Sequence, residues 1–197
     1  MKRYLVFVLS VLLLLCTTAC SGPKLSIEEK INIADAAWNE MSAGVTSIAK
    51  AANVIDTCWQ AGTKYAGKSD TSVSSICNNL GIYDNDTIVA AMKAVSIDGG
   101  LSLSECVQTG VFLCDYLGLY ADAKLHIDNA QDTFKDLEHD SRMYELFRDY
   151  SIAASSYLQY LESPTGSYSD FANKTNDFAD AISEYGNSLA FEMKNIE

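Results

Sequence analysis

Proline is almost missing from this chain, with two in 197 residues, Pro23 and Pro164, both at segment ends. Proline inside a helix removes a hydrogen bond and clashes with the preceding turn, so its scarcity leaves room for long unbroken segments. Basic residues are also few: 14 Lys and Arg stand against 26 Asp and Glu, a net charge of −12. Such a surface repels phosphate backbones and anionic headgroups, which argues against a nucleic-acid partner. Histidine occurs twice, as His126 and His139, and no CxxC pair is present. Di-metal bundles take two Glu-x-x-His motifs, whereas Asp136-Leu137-Glu138-His139 stands alone at a segment end. Asp84-Asn85-Asp86 lacks the glycine and the distal glutamate of a calcium loop. No Gly-x-Ser-x-Gly elbow and no glycine-rich phosphate loop is found. The expectation is therefore a chain without catalytic residues, metal or cofactor. No useful alternation of apolar and polar residues signals a strand.

What is there begins at the first residue. Lys2 and Arg3 precede an apolar run from Tyr4 to Leu15 that only Ser10 interrupts, and Thr17-Thr18-Ala19-Cys20-Ser21-Gly22 follows. Charged, apolar and small-residue regions in that order make a secretory signal peptide. The run is shorter than the ~20 residues that span a bilayer. The cysteine at the cleavage point resembles the lipobox of bacterial lipoproteins, with Thr17 where that family usually has Leu. The resemblance implies diacylation of Cys20 and anchoring to the extracytoplasmic face of the cell membrane. Residues 1–19 are then signal peptide, 20–25 a lipidated tether and 26–197 one helical-bundle domain. Loss of Lys2 and Arg3 with the leader takes the net charge from −12 to −14. Membrane contact comes from the lipid, not from a basic patch.

The remainder reads as amphipathic helices. Ile27, Ile31, Ala34, Trp38, Met41, Val45, Ile48, Ala52, Ile55, Trp59, Gly62 and Ala66 alternate steps of four and three. They predict one helix over 26–66 with these residues on one face, opened by a Ser26/Glu29 capping box. A second capping box, Ser102 with Glu105, starts a segment running to Leu137 on the stripe Cys106, Thr109, Leu113, Tyr116, Tyr120, Ala123, Ile127, Ala130, Phe134 and Leu137. Its first half carries a second stripe, Leu103, Val107, Gly110, Cys114, Leu117 and Ala121, so residues 68–100 are expected to fold over it as a short helical cap. Met143 to Leu161 and Phe171 to Met193 give two further helices, parted by Ser163-Pro164-Thr165-Gly166. Short connections between amphipathic helices predict an all-α, antiparallel up-down bundle of four main helices. The aspartates and Asn129 that recur every seven residues from Asp115 to Asp136 read as its solvated polar face.

Four cysteines remain after processing, Cys58, Cys77, Cys106 and Cys114, an even number in an oxidising compartment. Cys106 and Cys114 lie about 12 Å apart along a continuous helix, beyond the ~7 Å Cα separation a disulfide tolerates. Antiparallel first and third segments favour Cys58–Cys114 with Cys77–Cys106. Parallel ones favour Cys58–Cys106 with Cys77–Cys114.

The spaced aromatics of the fourth helix, Pro164-Thr165-Gly166-Ser167-Tyr168 and the Asn-rich stretch from Asn173 to Asp177 are similar to a loose group of small, uncharacterised helical lipoproteins of Gram-positive bacteria. That resemblance implies location and fold but no chemistry. Most of the 11 Tyr and seven Phe fall on core stripes. Tyr83, Tyr144, Tyr160 and Tyr168 fall off them and, with Lys93 of the cap, are the candidate recognition residues. The expected role is binding an unidentified protein partner, or scaffolding, without catalysis. Two alternatives are a small-ligand or sensor lipoprotein and a phage superinfection-exclusion lipoprotein, the last by likeness of size and anchor.

Overall fold

The computed structural model describes residues 25–65, 102–137 and 141–196. The expected cap, with Cys77, Tyr83 and Lys93, lies outside them, as do Cys20 and His139. The described residues are all-α. α1 spans Ile27–Tyr65, α2 Leu103–Tyr116, α3 Leu119–Phe134, α4 Arg142–Glu162 and α5 Tyr168–Lys194.

Side-chain caps fix the helix starts. Ser26 Oγ accepts from the Glu29 amide at 3.2 Å, and the Ser26 amide donates to Glu29 Oε2 at 2.8 Å. Ser102 and Glu105 close a second box ahead of α2, and Ser167 and Asp170 a third ahead of α5. Each satisfies amides that the first turn leaves without an intrahelical partner.

The long central segment is not one helix. Leu117 and Gly118 end α2, and Gly118 adopts φ 71°, a left-handed conformation that glycine reaches without steric penalty. The stripe survives the break except at Tyr116, which stands 42% exposed at the corner, while Tyr120, Ala123, Ile127, Ala130 and Phe134 are buried. The change of direction at Gly118 takes Tyr116 off the line the periodicity drew through it.

α1 packs along α2 and α3 and also meets α4 and α5, while α4 packs on both α3 and α5. Glycines locate the register. Gly44 lies on Ala123 and Ile127, Gly110 on Ile55 and Cys58, and Gly62 on Cys106. Numbers rise along α1 as they fall along the facing leg, so α1 runs antiparallel to α2 and α3. Trp38 meets Tyr150 of α4 and lies beside Gly186 of α5, while Trp59 meets Tyr168, so α5 also runs against α1. Bonding of Tyr120 to the Leu161 carbonyl at 2.9 Å and stacking of Phe134 on Phe147 set α3 antiparallel to α4.

The close α1–α2 approach rests on a reciprocal pattern. Cys58-x-x-x-Gly62 on α1 faces Cys106-x-x-x-Gly110 on α2, each cysteine set against the other helix's glycine. A Cβ built on Gly62 would come within 2.8 Å of the Cys106 Cβ, and one on Gly110 within 3.0 Å of the Ile55 Cα. α1 also buries Ala37, Ala51 and Cys58 at 0% exposure, and with Gly44 these small residues recur every seventh position. This second stripe lies beside the predicted one. The first stripe's opening residues, Ile27 and Ile31, are 51% and 38% exposed. Large side chains fill the remainder; Phe147, Phe171, Met41, Ile48 and Leu161 are fully buried, each contributing about 1.5–3 kcal/mol of transfer free energy.

The register also corrects the expected Cys58–Cys114 disulfide, because no bond joins Cys58, Cys106 and Cys114 to one another. The Cys114 thiol faces the Ala51 carbonyl at 3.4 Å. Cys58 packs instead on Gly110, four residues before Cys114, about 6 Å at 1.5 Å per residue. The legs are antiparallel as the pairing required, but displaced along their axes by about one turn.

Candidate functional site

An open groove of about 360 Å³ lies between α1 and the first half of α5, with Tyr157 of α4 at its floor. Helix spacing builds it. On α1, Asp56 and Gln60 are one turn apart and therefore neighbours, and the Gln60 amide donates to Asp56 Oδ2 at 2.7 Å. On α5, the Ser167 cap places Tyr168 at the first helical position, where its hydroxyl donates to Asp56 Oδ1 at 2.9 Å. Gln60 also donates to the Tyr168 hydroxyl at 3.2 Å. The half-buried Asp56 carboxylate thus holds two neutral donors. Its hydrogen bond with Tyr168 is the main cause of a raised tyrosine pKa, assisted by burial and by the carboxylate charge.

Behind this network lies a continuous aromatic cluster. Trp59 packs on Tyr168 and Phe171 with ring centroids 6.0 and 5.0 Å apart. Tyr160 stacks on the other side at 6.0 Å from Phe171 and also meets Phe178 at 5.8 Å. Tyr157 lies nearly parallel to Phe178, 11° between planes at 5.0 Å. The Lys174 ammonium sits 5.0 Å from the Tyr160 ring centroid, a cation over an aromatic face. Burial raises the pKa of Tyr157 to about 12 and also raises that of Tyr160. The Trp59 indole N–H and the Tyr160 hydroxyl are buried without a hydrogen-bond partner. Each such orphan costs about 1–3 kcal/mol of desolvation.

Tyr160 and Tyr168, both singled out from sequence, therefore meet in one cluster. Tyr144 does not join them; it packs edge-on against Phe134 at 5.6 Å, towards the other end of α4. Asp56 and Gln60 were not singled out, whereas Trp59 stands on the predicted core stripe of α1 and, in the small-ligand alternative, beside the expected cavity. The signal for Asp56 and Gln60 was a polar pair at helical spacing flanking a core tryptophan, visible only once α5 is known to lie alongside.

A second polar cluster joins α1 to α3. His126 Nδ1 donates to Glu40 Oε2 at 2.7 Å and Asn129 donates to the same oxygen at 3.3 Å. The His126 bond chiefly lowers the Glu40 pKa. His126 sits on the flank of the apolar stripe, as its position beside Ile127 predicts, with its side chain 35% exposed. No group of three metal-ligating side chains occurs among the described residues, and no described helix is long and apolar enough to cross a membrane.

In chemical terms the groove offers a carboxylate, aromatic rings and the polar side chains Thr175 and Asn176 over an apolar floor. The lining residues include no cysteine, serine or lysine. Comparison with family models, with curated proteins and with solved structures finds no match to this chain.

Proposed function

We propose that this chain is a lipid-anchored protein of the extracytoplasmic face of the cell membrane that binds a protein partner without catalysing a reaction. In this reading four antiparallel legs form an up-down bundle, the second leg being α2 with α3, and residues 68–100 cap its outer end. One observation carries the reading: a groove with aromatic anchors under a polar rim, the composition that distinguishes the centre of a protein interface. Asp56 lies 29 residues beyond Ile27 in one helix, about 44 Å along its axis. The tether of residues 20–25 is short, so a bundle standing on the membrane presents the groove outward.

The test is in-cell photo-crosslinking from Asn176, on the groove, and from Tyr83 and Lys93, on the cap, followed by mass spectrometry. One dominant protein adduct is expected. No protein adduct from any position, with the chain correctly displayed, refutes the partner reading and moves weight to the alternative of a small ligand held in the same groove. The anchor is tested separately by Cys20→Ala, which should release the protein from the membrane fraction. Unchanged membrane association would remove the lipoprotein reading.

A further inference from the structure

The groove's electrostatics point to what it holds. Asp56 is a half-buried carboxylate that accepts from Tyr168 and Gln60, both neutral. A carboxylate accepts at about four lone-pair sites, so two hydrogen bonds leave acceptor capacity. The surrounding wall is aromatic: Tyr157, Tyr168 and Phe171 line the same groove. A cation between a carboxylate and ring faces gains from both, and more so where water is partly excluded. The cluster already uses this chemistry once, where the Lys174 ammonium caps Tyr160. The long-range field agrees, since a chain of net charge −12 draws cations and repels anions.

We propose that the α1–α5 groove takes a lysine or arginine side chain of the protein partner, its charge seated against Asp56 and its aliphatic stem along Tyr157, Tyr168 and Phe171. This rests on the partner-binding reading and names the chemistry of that partner. The stem suits the apolar floor, because long basic side chains bury their methylenes and keep the charged head at a polar rim. The groove is also wide enough: about 360 Å³ lies at the lower end of ligand sites.

The probe is N-acetyl-lysine methylamide, titrated into the folded chain and followed by NMR at the amides of Asp56, Tyr168, Thr175 and Asn176 and at the Trp59 indole. N-acetyl-norleucine methylamide, which has the stem without the charge, is the control. Localised shifts with the lysine probe alone are expected. Asp56→Asn, which keeps the shape and removes the charge, should weaken binding about tenfold, whereas Asp180→Asn, which removes one negative charge from α5 outside the groove lining, should change it less than twofold. Tyr168→Leu, which removes the ring face, should lose binding with the helical circular dichroism unchanged. Equal weakening by Asp56→Asn and Asp180→Asn, or shifts scattered over the acidic surface, would overturn the assignment. The partner reading fails by a different result. If the probe binds at Asp56 while no protein crosslinks to Asn176, the groove is a site for a free organic cation and the side-chain source is refuted. If a protein crosslinks and Asp56→Asn leaves its capture unchanged, the partner stands and the cation seat does not.

Discussion

Replacing glycines with alanine tests the α1–α2 packing by sign rather than by size. In a helix interior the substitution alone gains about 1 kcal/mol, from lower backbone entropy in the unfolded chain. At Gly186 the added Cβ would meet nothing nearer than the Tyr150 hydroxyl at 3.7 Å, an ordinary contact. The gain should therefore appear nearly intact. At Gly110 the Cβ would lie 3.0 Å from the Ile55 Cα and 3.2 Å from the Cys58 Cβ. A backbone atom has no rotamer to escape through, so the helices must part. At Gly62 the conflict is sharper, 2.8 Å from the Cys106 Cβ. Overpacking costs about 1–3 kcal/mol, which cancels or exceeds the propensity gain. Expected net effects are a stabilisation of about 0.5–1 kcal/mol for Gly186→Ala and a destabilisation of roughly 1–2 kcal/mol for Gly62→Ala. Gly110→Ala should lie between them. Urea unfolding of the signal-free chain, followed by circular dichroism, reads all three. For a domain of this size, 1 kcal/mol corresponds to about 2–4 °C in Tm. Adding Cys106→Gly to Gly62→Ala removes the clashing Cβ and should recover part of the loss. If Gly62→Ala stabilises as much as Gly186→Ala, the close reciprocal packing of the Cys-x-x-x-Gly pairs is wrong.

Three further outcomes are expected. Glu40 has its pKa lowered in the folded state, so its contribution to stability is present above the ordinary glutamate range and is lost as pH falls through the folded value. With both side chains 35% exposed, the contribution is small, under about 1 kcal/mol. The sharper measurement is a carboxyl carbon NMR titration, in which His126→Ala should return Glu40 towards its ordinary pKa; an unmoved value would show that His126 is not the cause. Burial raises the Cys114 thiol to about 12, so iodoacetamide at pH 8 should leave it unmodified in the native protein and alkylate it in urea. Rapid native labelling would mean that the α1–α2 seam opens. Gly118→Ala meets open space, yet places a Cβ at φ 71°, and should cost about 1–2 kcal/mol by thermal unfolding. Gly118→Asn should cost less, and equal stability of both with the parent chain would argue against the left-handed corner.

Much of this protein was legible in order of residues alone. A period of 3.6 with serine caps at Ser26, Ser102 and Ser167 specifies where helices start and which side chains are apolar, because both follow from contacts within one or two turns. Phe147, Tyr150, Ala154, Tyr157 and Leu161 lie on one predicted face of α4, and all are buried. The corner at Gly118 was hidden because the stripe resumes on the far side in the same phase. The second stripe of α1 was hidden because alanine, glycine and cysteine carry too little apolar surface to announce a face; their use is to be small against a neighbour.

What tertiary structure alone decided is register. The axial offset of two antiparallel helices depends on which small residue accepts which side chain, and no local preference encodes it. That offset sets Cys114 against Ala51 instead of Cys58, and Gly62 against Cys106. It likewise brings Tyr168 to Asp56 across 112 positions of chain. The sequence by itself determined the helices and the faces they bury, since these are local. The groove is a property of two helices at one offset, and it exists only once the chain has folded.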